Sequence, residues 1–343
     1  MKKHDNTLYV TSQGTYLARD GASVLVRMKK ETRLRVPIHN LGGIVCFGNV
    51  GCSPFLMGLC GEQGVSLSFL TKNGRFLARV LGSQTGNVQL RRAQHRATSD
   101  LSTAADFARN IVAAKIANAR TVLQRGRRDH PDRVLSQNVE ATIRRLGDLI
   151  KGLERSMSLD EVRGVEGEAA RWYFGAFDDL ILQQKQAFFF HERTRRPPRD
   201  NMNALLSFLY AILTHDVAAA CQSVGLDPQM GFLHGDRPGR ASLALDLIEE
   251  CRPMIADRVA LSLVNRQQIE ERGFTRTETG GVEMNDATRK TVLVGYQKRK
   301  DEEILHPFLK EKITLGLLPH VQAGLLARWL RGELDAYPSF FWK

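Results

Sequence analysis

The sequence contains no Cys-x-x-Cys pair, and its five cysteines (Cys46, Cys52, Cys60, Cys221 and Cys251) are an odd number scattered along the chain. Neither a thiolate zinc site nor a disulfide framework is expected from such a set. No window approaches the roughly 18 uninterrupted apolar residues that a membrane-spanning helix needs. The opening MKKHDNTLYVTSQG has lysines but no apolar stretch of signal-peptide length behind them. Internal repeats and low-complexity segments are also missing, which argues against solenoid and linker-like architectures. These absences predict a reduced, cytoplasmic, soluble protein with no membrane partner.

Acids are the minority charge. The 343 residues include 49 Lys+Arg against 37 Asp+Glu, a net charge of +12. An excess of that size favours a polyanionic partner, nucleic acid before an anionic membrane surface. Hydrophobic residues make up 43%, enough for a substantial core, and the length suits two domains.

The fold class read from the pattern is α+β and multidomain: a β-rich N-terminal domain followed by a larger all-α catalytic domain. Residues 1–85 carry short β-branched or aromatic runs (TLYVT, TYLA, SVLVR, LRVPI, SLSFL and GRFLARVLG), punctuated by Gly14, Asp20-Gly21 and Pro37. SPFLMGLCGEQG between them reads as one short helix. Such a block, without local chemistry, is expected to be structural or dimerising. Residues 86–97, polar and basic, read as a linker. From Thr98 to the end, 98–343, apolar residues recur at helical spacing, as at Phe107, Ile111, Leu205, Phe208, Leu209 and Ile212. Loops are expected at Arg125-Gly126, Arg195–Arg199 and Gly231–Gly239.

Two segments place acids where a helix would ordinarily be apolar. Ser158 and Glu161 form a capping box, so a helix should start there. On that helix Ala170, Tyr173 and Phe177 fall within about 40° of Glu166, whereas Glu168 lies on the opposite side. A carboxylate on an apolar stripe is costly unless it is paired or binds a metal. An internal salt bridge to an arginine, or a later helix start that leaves Glu166 in a loop, would also account for it. Gly164 and Gly167 beside it would let a backbone or a phosphate come close. The second segment is LHGDRPGRASLALDLIEECRP, Leu233 to Pro253. Asp246, Glu249 and Glu250 share one helix face, and like charges at that spacing repel. A solvated face would explain them; so would a divalent cation. With His234 and Glu166 the donor set is oxygen-rich plus one imidazole, which suits Mg2+ or Mn2+. Arg237 and Arg240 in the same loop can hold phosphate oxygens. Together these residues point to phosphodiester chemistry.

At GVEG around Glu166 and at LHGDRPGRASLALDLIEECRP the chain resembles the CRISPR-associated spacer-acquisition integrase family, the Cas protein numbered one. VPIHNLGGIVCFG, GVSLSFLTKNGRFLARV and DNMNALLSFLYAIL, with Asn203 and Tyr210, extend the resemblance over the full length, and YPSFFWK is similar to the subtype I-C branch. The resemblance implies a β-domain followed by a helical domain, and a divalent ion held by Glu166, His234 and Glu249. Asp246 would be a ligand or stand just outside the ligand shell. It further implies that the 3′-hydroxyl of a captured DNA fragment attacks a phosphodiester of a CRISPR repeat. The implied partners are double-stranded DNA, a second copy of the chain, the companion Cas protein numbered two and a Cas four-type nuclease.

RRAQHR at Arg91, QRGRR at Gln124 and HERTRRPPR at His191 have phosphate-binding composition. The last follows Phe188–Phe190 and is the favoured DNA segment, through Arg193, Arg195, Arg196 and Arg199. At least two of those phenylalanines are expected in the core. A standalone structure-specific nuclease acting on branched DNA and a non-catalytic DNA scaffold are the competing readings.

Overall fold

The computed structural model describes residues 6–29, 31–80, 82, 88–132 and 137–342. The first five residues of the amino-terminal segment, and residues 86–87 of the passage read as a linker, lie outside them. The chain divides into two compact units, residues 1–86 and 87–343.

Unit 1 is strand-rich, as its alternating runs predict. Its elements are β1 (Thr7–Val10), β2 (Thr15–Asp20), β3 (Ser23–Met28), β4 (Glu31–Pro37), β5 (Gly43–Phe47), β6 (Val50–Cys52), α1 (Pro54–Gln63), β7 (Ser66–Leu70) and β8 (Phe76–Val80). They form two four-stranded sheets, ordered β1-β5-β7-β8 and β4-β3-β2-β6. The Asp20-Gly21 turn joins β2 to β3 antiparallel, with Asp20 opposite Ser23 and Gly21 at a φ of 58°. Ser53 caps α1, the short helix expected from SPFLMGLCGEQG, by accepting from Leu56 N. Leu17, Val24, Ile44, Leu56 and Leu67 form a shared core drawn from both sheets and α1.

Unit 2 is mainly helical: α2 (Val88–Ser99), α3 (Leu101–Asp129), α4 (Gln137–Gly152), α5 (Leu159–Gly175), α6 (Asn201–Ser223), α7 (Ser242–Arg252), α8 (Arg258–Asn265), α9 (Asp286–Lys300) and α10 (Leu318–Leu330). It is not all-α. Two hairpins interrupt it, pairing β9 (Phe274–Arg276) with β10 (Val282–Met284) and β11 (Glu303–Leu305) with β12 (Lys312–Thr314). Their strands are too short for an alternation to stand out from the helical background. α6 is long and apolar enough to cross a membrane by length and composition, with most of its apolar window buried inside the protein. α7 packs on α3, α6 and α10, so this helix is enclosed nearly all round.

Two local expectations change. The 86–97 passage is not a linker where it is described: α2 covers Val88–Ser99, and Gln94 on it is fully buried. Gln94 donates to the carbonyls of Asp227 and Met230 at 2.8 and 2.9 Å and accepts from Asp227 N at 2.9 Å. Polar composition concealed a helix whose buried polar residue secures a loop. Arg125-Gly126 likewise is not a loop but lies inside α3; a Cβ on Gly126 would come within 2.5 Å of Leu180 Cδ2. This glycine answers a close approach, not a chain break.

Gln94→Ala would leave a buried N–H and two carbonyls without their partner. We expect a loss of about 1–3 kcal/mol in urea unfolding; an unchanged midpoint would contradict this account of α2.

Candidate functional site

Glu166 lies on α5, which starts where the capping box predicts: Ser158 Oγ accepts from Glu161 N, and Glu161 accepts from Ser158 N at 2.8 Å. The helix does not start late, and the partner of Glu166 is not an arginine. Glu166 Oε1 is bonded to the ammonium of Lys115, from the middle of α3. Exposure does not separate Glu166 from Glu168, at 28% and 29% of the side chain; partners do, because Glu168 pairs outward with Arg145. A Cβ on Gly164 or Gly167 would meet nothing within 4 Å, so both glycines border open space.

The acids of α7 do not form a solvated face. Asp246, Glu249 and Glu250 are 0, 5 and 1% exposed, and each has its own task. Asp246 accepts from the backbone N–H groups of Phe232, Leu233 and His234 at 2.6, 3.1 and 3.0 Å, and its Oδ1 is 2.7 Å from His234 Nδ1. A carboxylate only accepts, so it fixes Nδ1 as the donor, and in the neutral ring Nε2 is then the nitrogen with the lone pair. Gly231 makes this fold of the loop feasible. A Cβ there would lie 2.7–2.9 Å from Ser242 Cβ, Ser242 C and the His234 carbonyl.

Glu249 Oε2 is 2.7 Å from Lys115 Nζ, and Oε1 accepts from Arg252 Nη1 at 3.3 Å. Burial pushes this carboxyl up, but Arg252, Lys115 and His234 together overcome it and hold it down at about 2. Glu250 faces the C-terminal segment instead. It accepts from Tyr337 Oη and Phe340 N, both at 2.5 Å, and from Gln322 Nε2 at 2.8 Å. Burial wins over these bonds, and its carboxyl rises to about 7. Asn118, on α3 with Lys115, bonds the Glu250 and Phe340 carbonyls and receives Trp342 N. The YPSFFW tail is thereby tied to the two helices that carry Lys115 and Glu249.

Behind Glu249, Arg252 lies over the Tyr210 ring at 5.1 Å, and Asp257 accepts from Tyr210 and Tyr173 at 2.6 and 2.9 Å. Burial raises the Asp257 carboxyl against the pull of Arg252 and these hydroxyls.

Two carboxylates from different helices thus meet at one buried cation, close to a histidine with one nitrogen anchored. Among the described residues no three His, Cys, Asp or Glu side chains already converge as a ligand cluster; the ammonium of Lys115 stands between the two glutamates. The donor set fits a hard divalent ion. One buried oxygen, Glu249 Oε2, also lacks a well-directed hydrogen bond despite its ion pair.

The arginines divide. Arg195, Arg196, Arg199 and Arg237 are exposed and Arg240 half-buried. Burial first, then the charges of Arg237 and Arg195, lower the Arg240 guanidinium, while Asp246 pulls it back. Arg240 thus feels Arg237 on its own loop, Arg195 on another loop and the Asp246 carboxylate. Arg193 differs: its guanidinium donates to Asn203 Oδ1 at 2.7 Å and Ser207 Oγ at 3.0 Å. Asn203 also receives Thr194 N, so these two residues shape the loop. Phe188 and Phe190 are buried as expected, with Phe189 half-buried against His191.

Lys115 and Arg252 escaped the sequence reading. Lys115 stands four residues after Ile111 and eight after Phe107, on the apolar stripe of α3. The reasoning that singled out Glu166 would have found it.

Residues 8–298 match the family described as CRISPR associated protein Cas1. The chain belongs to this family. A Cas1 relative, "CRISPR-associated endonuclease Cas1 1" of Chlorobaculum tepidum, is 50% identical over 343 residues and covers 100% of both chains. Among solved structures, a casposase bound to integration product aligns with a TM-score of 0.83 and 23% identity, over 96% of this chain and 92% of that one. A Cas6-RT-Cas1–Cas2 complex aligns with a TM-score of 0.81 and 23% identity, over 100% of this chain and 36% of that one. At that identity the likeness to both structures is one of fold alone.

Asp246→Asn would set an amide N–H2 against donors that now meet a carboxylate. We expect thermal unfolding to show a loss of about 1–3 kcal/mol. We also expect the 15N chemical shifts of His234 to lose the signature of an Nδ1-protonated ring. A variant with wild-type shifts would show that Asp246 does not set the tautomer.

Proposed function

We propose that this Cas1-family chain is a divalent-metal-dependent DNA endonuclease and integrase of CRISPR adaptation. In this reading it inserts captured DNA fragments as new spacers into the CRISPR array, through attack of their 3′-hydroxyls on repeat phosphodiesters. The observation that carries the proposal is the meeting of Glu166 and Glu249 at one cation position, with His234 anchored close by. Glu166, Glu249 and the free Nε2 of His234 would hold Mg2+ or Mn2+. When bound, such an ion would lower the pKa of the attacking hydroxyl and neutralise charge on the phosphate. Asp246 keeps the imidazole in the tautomer that can accept or bind. Arg237, Arg240 and Arg195 would hold the phosphodiester from the side of the His234 loop, with Arg196 and Arg199 extending the track.

The endonuclease name of the Chlorobaculum relative and the integration product in the casposase structure support this chemistry. The Cas1–Cas2 assembly supports a companion of the Cas protein numbered two. Exposed Phe55, Phe76 and Leu77 on unit 1 support a homodimer. A cytoplasmic location, subtype I-C and a Cas four-type nuclease partner belong to the same reading.

The test is joining of a labelled duplex with free 3′-hydroxyls to a repeat-bearing plasmid in Mn2+ or Mg2+. Glu166→Ala, His234→Ala and Glu249→Ala should each reduce joining at least about 100-fold with the fold intact. Cleavage of branched DNA without any joining would favour a standalone nuclease. DNA binding without product, unchanged in the three variants, would favour a scaffold. Arg237→Ala should lower DNA affinity and flatten its salt dependence by about one phosphate contact.

A further inference from the structure

We propose that Lys115 is a built-in substitute for the divalent cation, whose ammonium holds Glu166 and Glu249 together in the metal-free protein and competes with the metal for them. This rests on the reading of both glutamates as ligands. Lys115 is 4% exposed, and its ammonium reaches Glu166 on α5 and Glu249 on α7 at once. Arg252 adds a second positive charge to Glu249. Two carboxylates thus already face two cations, and the pair has no surplus negative charge to attract a third. A divalent ion must either displace an ammonium or overfill the site with positive charge.

A purely structural buried bridge would be closed and fully hydrogen-bonded. This one is neither. Glu249 Oε2 has the ammonium at 2.7 Å without a well-directed hydrogen bond. Glu166 keeps more than a quarter of its side chain exposed. The small cavity next to Lys115 offers no polar retreat, because it is lined by Ile116, Ala119, Leu146 and Ala169, with Arg252 the other charge. An expelled ammonium therefore moves toward the open side, where an anion such as a DNA phosphate would receive it. The exchange links metal entry to the arrival of that anion.

The experiment is a Mn2+ titration of the DNA-free full chain, with free Mn2+ followed by electron paramagnetic resonance and the thermal midpoint read in parallel. Lys115→Met should bind Mn2+ roughly ten-fold or more tightly than wild type, because a competing charge is gone. Its midpoint should rise more with Mn2+ than that of wild type. If Lys115→Met does not fold without metal, Lys115→Gln, which keeps hydrogen-bond donors, carries the same comparison. Equal or weaker binding in a folded variant, with wild type still binding and Glu166→Gln abolishing it, would overturn the proposal and leave the ligand reading standing. No Mn2+ binding by any of these proteins would overturn both.

Discussion

The charge on Glu249 is the constraint around which unit 2 is arranged. A carboxylate 5% exposed in the middle of a helical body would ordinarily be protonated or paired. Here Arg252, from the same helix, and Lys115, from α3, keep it ionised at the cost of burying two more charges. Those cations need a frame of their own. Arg252 finds the Tyr210 ring and the Asp257 carboxylate, and Asp257 in turn takes hydrogen bonds from Tyr173 and Tyr210. The polar core is therefore one connected set. In such a set each member is worth more in place than the sum of separate pairs, and more costly when one is missing.

The same connection ties distant parts of the sequence to the site. The C-terminal tail bonds Glu250, which adjoins Glu249, and Asn118, three residues after Lys115 on α3. Gln94 fixes the loop that precedes His234, and Asp246 gathers three backbone N–H groups and one imidazole at the start of α7. Asn203 and Arg193 shape the loop that exposes Arg195, Arg196 and Arg199. The position of the exposed arginines thus depends on a half-buried one. Rigid elements carry the acids, while loops carry the arginines, an arrangement suited to holding a cation firmly and a polymer adaptably.

Much of this was legible in sequence. The capping box at Ser158 and the stripe around Glu166 follow from local spacing, and the helix starts where that spacing puts it; the helical part begins at Val88, ten residues before the period change read near Thr98. The helical wheel isolates the acids of α7 on one face but leaves open whether that face is solvated. A wheel describes one helix, whereas burial of Glu250 depends on a tail ninety residues further along. The α2 helix is hidden because its outer face is basic and only Leu90 and the polar Gln94 on it are buried. The two hairpins were hidden by strands only three residues long. Lys115 is legible by the same rule as Glu166, because a base on an apolar stripe is as anomalous as an acid.

The central claim is that Glu166, His234 and Glu249 hold one divalent ion at the place where Lys115 now bridges the two glutamates. An anomalous difference map from crystals grown with Mn2+ tests it most directly. The account predicts a single strong peak bonded to Glu166, Glu249 and His234 Nε2, with the Lys115 ammonium moved off both carboxylates. A map in which Lys115 still bridges them, with the peak absent or bound elsewhere, would contradict it.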